Sequence, residues 1–163
     1  MRMFIGFPLT EDIKKEICLF QDKLTTGRKT APGLLHVTLL FLGELDHNQI
    51  KLAKQILNTI KLHSFSIRGM NITKLRDMVI IELAKSKELM DCALLLQNLF
   101  LENNFQVEKR PFYPHVTVSR NNHEAVSEPF PFTQTVDRIC LFSSQYQNNQ
   151  LVYPITYQIP LKK

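Results

Sequence analysis

Tryptophan is absent from the 163 residues, glycine is scarce at five, and cysteine occurs three times. The glycines are dispersed, so no Gly-rich loop can cradle a nucleoside triphosphate, which argues against ATP use. Cys18, Cys92 and Cys140 are odd in number and far apart. No two stand at metal-ligand spacing and three thiols cannot form a disulfide framework, so buried, reduced thiols are expected. Clustered ligand patterns such as HxH or HExxH are missing too, and neither a metal nor another cofactor is expected. No apolar run reaches membrane-spanning length. The opening MRMFIGFPLT is interrupted at Pro8 before a signal-peptide core, and no small-residue cleavage site follows. The expectation is a cytoplasmic protein with no membrane partner and no obligate protein partner.

What is present is enough for one packed domain, 1–163, because 44% of the residues are hydrophobic. A formal net charge of +5 leans mildly toward anionic partners such as nucleotides. It falls short of the dense basic face of a duplex-DNA binder.

The apolar pattern predicts a strand in MRMFIGF, then a helix capped by Thr10 with Ile13, Ile17, Phe20 and Leu24 at helical spacing. Gly27 to Gly33 reads as a basic, mobile loop, and Leu34 to Gly43 as a strand. Asp46 and Gln49 form a capping-box pattern for a second helix. Strands are expected at Phe65–Met70 and Met78–Ala84, and Ser86 opens a third helix that ends at Asn103 and Asn104. Another strand covers Tyr113 to Ser119, and Asn121 to Pro131 reads as a loop. Val136–Ser143 and Leu151–Leu161 close the chain as strands, with a hairpin at QYQNNQ.

The order strand, helix, strand occurs twice, from Arg2 to Gly43 and from Met78 to Arg120. Each second strand carries one pattern: His36-Val37-Thr38-Leu39, then His115-Val116-Thr117-Val118, 79 positions later. Chance supplies about 0.1 such match per chain, and two together only a few in a thousand by the same rough count. The repeat suggests a duplicated module with a pseudo-two-fold axis, its halves covering about 1–45 plus the C-terminal strands and about 76–120. Side chains alternate along a strand, so His36 and Thr38 share a face, as do His115 and Thr117. Across one groove, two imidazoles and two hydroxyls suit a phosphate ester. A neutral ring takes a proton from the nucleophile, and a charged ring delivers one to the leaving oxygen. The hydroxyls can donate to non-bridging oxygens.

With these motifs in view, the sequence resembles the 2H phosphoesterase superfamily. Within it the likeness is to the RNA 2′,3′-cyclic phosphodiesterases of bacteria and archaea (LigT or ThpR type), historically called 2′-5′ RNA ligases. The segments RMFIGFPL, LLHVTLLFLGE, FYPHVTVSR and ICLFSSQYQNNQLVYPITYQIPL carry the likeness over essentially the whole chain. The resemblance implies a bilobal α+β fold, with two antiparallel sheets forming a concave groove and helices packed outside. It implies metal-free hydrolysis of RNA-terminal or nucleoside 2′,3′-cyclic phosphates to 2′-phosphomonoesters, and nothing in the sequence requires more than a monomer. His36 would be the proton donor and His115 the proton acceptor, with Thr38, Thr117 and Arg120 holding the phosphate. The sequence departs from the family at Leu34, where a polar residue, often Asn, is common, and in lacking an upstream Trp.

Tyr113 is a candidate for base stacking, whereas Phe112 reads as core. Lys109 and Arg110 are weaker candidates for a basic path to an RNA tail, and Arg28 and Lys29, in the loop, for gating the groove. His47, His63 and His123 lack any partner pattern. The same site could serve 2′-5′-linked oligonucleotides, cyclic ADP-ribose phosphate or ligation. A different class of reading is a non-catalytic RNA- or nucleotide-binding module.

Overall fold

Alternation along the N-terminal residues builds the first strand, β1 (Arg2–Pro8), with Met3, Ile5 and Phe7 pointing into the main core. The computed structural model describes residues 1–163. After β1 come α1 (Glu11–Gln21), β2 (Arg28–Lys29), a 3-10 turn at Pro32–Leu34, β3 (His36–Glu44) and α2 (His47–Asn58). The chain continues with β4 (Phe65–Leu75), β5 (Met78–Leu83), α3 (Lys87–Glu102) and β6 (His115–Arg120). It ends with β7 (Ser127–Val136), β8 (Arg138–Gln147), β9 (Gln150–Val152) and β10 (Ile155–Pro160).

The strands form two antiparallel sheets, ordered β10-β8-β1-β3, with β9 on β8, and β2-β6-β5-β4-β7. The fold is thus α+β, as the sequence implies. The sheets meet where β3 runs beside β6, and α3 packs across this junction against β3 and β4. The main cluster of 37 buried residues draws on both sheets and all three helices, and a second, of Phe4, Cys140 and Phe142, lies on the first sheet. Fully buried side chains such as Phe7, Ile17, Leu57, Ile81 and Phe100 each contribute about 1.5–3 kcal/mol.

Local signals act largely as expected. The Asp46 carboxylate accepts from the Gln49 N–H at 2.8 Å, and the Asp46 N–H donates to the Gln49 side-chain oxygen at 2.9 Å. Thr10 and Ser86 occupy N-cap positions, but neither side chain makes a capping bond. The Thr10 N–H donates instead to Oε1 of Gln134 on β7 at 3.0 Å. Asn148 and Asn149 adopt φ of 52° and 63°, the left-handed geometry of a two-residue hairpin turn between β8 and β9.

Three expectations are corrected. The loop expected over Asn121 to Pro131 ends at Val126, because Pro129 and Pro131 lie within β7. That strand pairs only with β4, and an edge strand can carry prolines on the side where no N–H is needed. The loop expected from Gly27 to Gly33 contains β2, which pairs with β6. The final strand is also split in two at Tyr153 and Pro154.

Candidate active site

Both motif strands break their alternation at the same point. On β3 the burial order is half-buried His36, buried Val37, half-buried Thr38, buried Leu39 and Leu40, then exposed Phe41. On β6 it is half-buried His115, buried Val116, half-buried Thr117, buried Val118 and Ser119, then exposed Arg120. Thr38 pairs with Gly6 and Leu40 with Ile5, leaving Leu39 as the extra residue of a bulge. Likewise Thr117 pairs with Ile80 and Ser119 with Val79, leaving Val118 extra. A bulge shifts the face parity by one, so Phe41 and Arg120, each five residues after its histidine, return to the face of the motif. Gly6 permits the close approach of β1 to the bulged strand, since a Cβ there would lie 2.1 Å from the Val37 carbonyl oxygen.

The two imidazoles are held alike. His36 Nδ1 lies 2.6 Å from the Leu34 carbonyl oxygen, and His115 Nδ1 lies 2.8 Å from that of Tyr113. A carbonyl only accepts, so each ring carries its proton on Nδ1 and keeps Nε2 for chemistry. His36 Nε2 is 2.7 Å from Thr38 Oγ1, which donates to it when the ring is neutral. The departure at Leu34 leaves this support intact, because the backbone supplies it.

The surroundings of the histidines differ. The His36 ring lies 4.9 Å from Phe4, 5.2 Å from Tyr153 and 6.0 Å from Phe142, centre to centre. Burial in this aromatic setting is the largest cause that pulls its pKa down to about 4. The charges of Arg120 and His115 act the same way, against the bond to Leu34. At neutral pH the ligand-free ring is uncharged. Arg120 extends Nη1 to Met78 Sδ at 3.4 Å and has no carboxylate partner. Tyr113 is 37% exposed, with its ring 5.5 Å from that of His115 and Lys85 Nζ 5.8 Å above it.

Over 127 residues, the chain is 34% identical to the RNA 2′,3′-cyclic phosphodiesterase of Bacillus subtilis, an overlap of 72% of this chain and 69% of the relative. The chain belongs to the RNA 2′,3′-cyclic phosphodiesterase family. A protein of the same name from Thermotoga maritima is 25% identical over 178 residues, covering 97% of this chain and 94% of that one. Escherichia coli LigT complexed with 3′-AMP superposes with a TM-score of 0.89 at 23% identity, covering 99% of this chain and 98% of that one. TT0787 of Thermus thermophilus gives 0.88 at 20% identity, with the same coverage. These structures share the fold. No protein-family model matches the chain.

In this phosphodiesterase-family chain, β3 lies beside β6, and His36 stands near enough to His115 and Arg120 to feel their charges. Thr38 and Thr117 lie on the motif faces of their strands, with Tyr113 beside His115. The fold leaves Lys109 and Arg110 on an exposed segment, where Arg110 pairs with Glu108. Phe112 packs against the core. His47, His63 and His123 are exposed surface residues. The sequence reading misses Phe4, Phe41, Phe142 and Tyr153, the aromatic side of the site. Phe41 had a signal, since it stands at the same offset from His36 as Arg120 does from His115. No group of three or more His, Cys, Asp or Glu side chains is placed to share a metal ion, and no helix is long and apolar enough to cross a membrane.

Proposed function

We propose that this protein hydrolyses the 2′,3′-cyclic phosphate at an RNA end, or on a nucleoside, to a 2′-phosphomonoester, with its own side chains moving the protons. The observation that carries the reading is the matched pair of Nδ1-anchored imidazoles, each two residues from a threonine hydroxyl on one face. Membership of the cyclic phosphodiesterase family supports the substrate class.

In this mechanism Nε2 of His115 accepts a proton from water as the water oxygen bonds to phosphorus. The bond from phosphorus to O3′ breaks, and Nε2 of His36 delivers a proton to the departing oxygen. Thr38, Thr117 and Arg120 hold the non-bridging oxygens and balance their charge. The substrate brings the anion that His36 needs in order to become charged in its buried setting. Phe41, 61% exposed and 6.2 Å from Phe4, offers a face to the nucleobase, as does Tyr113. The two half-sites read as descendants of one duplicated module. We read the protein as a cytoplasmic monomer, its free thiols suiting a reducing compartment.

The test is turnover of the four nucleoside 2′,3′-cyclic phosphates and a short RNA ending in one, with EDTA present. The expected product is the 2′-phosphate, and H36A and H115A should each lower kcat by about 10²–10⁴-fold while the fold is retained. Binding without turnover would move the reading to a nucleotide-binding module. Turnover confined to 2′-5′-linked oligonucleotides would keep the site and change its substrate.

A further inference from the structure

Beside Arg120 the second sheet continues onto β2, a strand of two residues. Arg28 is the register partner of Arg120, and Lys29 of Ser119. In an antiparallel pair, directly opposed residues put their side chains on the same face, so Arg28 and Arg120 leave one face of the sheet, with the Arg120 guanidinium leaning toward Met78 on β5. Like charges so placed repel, and no carboxylate forms an ion pair with Arg28, Lys29 or Arg120.

The fold holds this arrangement from both ends. Buried Gln21 donates Nε2 to the carbonyls of Thr30 and Val118 at 2.9 and 3.0 Å, and the Thr30 N–H donates to Val118 at 2.9 Å. On the other side, the Glu124 carboxylate accepts from the backbone N–H and the hydroxyl of both Thr25 and Thr26. Fully buried Asn122 donates to the Thr26 carbonyl at 2.9 Å. Gly27 completes the fit at φ +77°, where a Cβ would lie 2.6 Å from the Arg120 carbonyl oxygen. Two hydrogen-bonded residues alone could not keep an edge strand in place. Long-range polar groups lock its backbone, and the exposed Arg28 adds a second cationic side chain on the strand next to the arginine of the site.

We propose that Arg28 forms a phosphate subsite for the phosphodiester immediately upstream of the cyclic phosphate on an RNA end. Adjacent strands lie about 4.8 Å apart. Arg28 therefore carries the positive edge one strand beyond Arg120, on the side away from β5. A nucleoside 2′,3′-cyclic phosphate has no group to reach it, whereas an RNA end presents a phosphate there. Arg28 is thus a specificity-determining residue that favours RNA ends over mononucleotides. The identity of the terminal group rests on the function proposed above, but the charge arrangement does not.

The experiment compares one nucleoside 2′,3′-cyclic phosphate with a short RNA ending in the same nucleotide, using the full chain and its R28Q and R28K variants. R28Q should lower the ratio of kcat/KM for RNA over mononucleotide by about 10-fold. It should also reduce the slope of log affinity against log salt for RNA by about 0.7, one phosphate contact on a single strand. R28K keeps the charge and should retain most of the ratio. An unchanged ratio in R28Q, or an equal loss on both substrates, overturns the subsite. Fluorescence anisotropy with a labelled RNA ending in a 2′-phosphate reads the same contact without turnover. Should the unaltered protein hydrolyse neither substrate, the function proposed above fails. The subsite then stands if R28Q weakens RNA binding with the smaller salt slope, and falls if it does not.

Discussion

Binding of a nucleoside 2′-phosphate should place a proton on His36. In the free protein its pKa is down at about 4, so at pH 7 about one ring in a thousand is charged. Relative to an ordinary histidine, that setting disfavours the cation by about 3 kcal/mol, most of it from burial. A phosphate oxygen held by the motif threonines would carry a negative charge about 4 Å from Nε2, worth about 4 kcal/mol at an effective dielectric of about 20. Attraction of that size outweighs the penalty and returns the pKa to about 7. The measurement is a ¹⁵N NMR titration of the His36 ring from pH 4 to 8, with and without the 2′-phosphate. The expected midpoint moves from about 4 to about 7, with matching proton uptake by calorimetry in buffers of different ionisation enthalpy. A ring that stays neutral down to pH 5 in the complex would refute His36 as the proton donor and exchange the roles of the two histidines. The free protein adds a check of sign. An unfolded histidine binds its proton near 6.5 and the folded one only near 4, so His36 lowers stability as pH falls through that window. H36F should remove that part of the pH dependence.

Three further outcomes follow from single contacts. G6A would force a Cβ to within 2.1 Å of the Val37 carbonyl oxygen, so it should lose about 3 kcal/mol of stability by urea unfolding; an unchanged midpoint would mean that the bulge needs no glycine. F41A should raise KM for the cyclic phosphates by about 5- to 100-fold through lost stacking, while stability moves by less than about 0.5 kcal/mol; a change in kcat alone would assign Phe41 another part. Glu124 has a pKa held down to about 2, first by the Thr25 N–H and then by the Asn122 side chain, so its contribution is present above the usual carboxylate range and lost as pH falls toward 2. The difference in melting temperature between the unaltered protein and E124Q should therefore shrink between pH 7 and pH 2.5, and a constant gap would show that the carboxylate charge is irrelevant to the clamp.

What the sequence made legible was whatever a short window contains. Period-two alternation puts His36 with Thr38 and His115 with Thr117, and the capping box at Asp46 needs only three residues of context. The elements it concealed depend on partners far along the chain. β2 is a strand because Gln21 reaches Val118 and Glu124 reaches Thr25 and Thr26, contacts about a hundred residues apart in sequence. β7 is a strand despite two prolines because it lies at a sheet edge, which no local pattern reveals. The aromatic side of the site was hidden for a similar reason. Phe4, Phe142 and Tyr153 come from β1, β8 and the turn after β9, and read singly each is an ordinary apolar residue.

Phe41 is the instructive case, because strict alternation would turn it away from His36. The bulge at Leu39 reverses that, and the bulge at Val118 does the same for Arg120. The two half-sites thus match in strand geometry, tautomer and bulge, and on the motif face they differ at the fifth position after the histidine. One backbone device presents an aromatic face on the His36 side and a guanidinium on the His115 side. A nucleotide is an aromatic ring joined to an anion, and the proposed site, aromatic on the His36 side and cationic on the His115 side, would favour one orientation of it. In the mechanism proposed above, that asymmetry, together with the unequal burial of the two rings, assigns two near-identical motifs opposite parts in moving a proton.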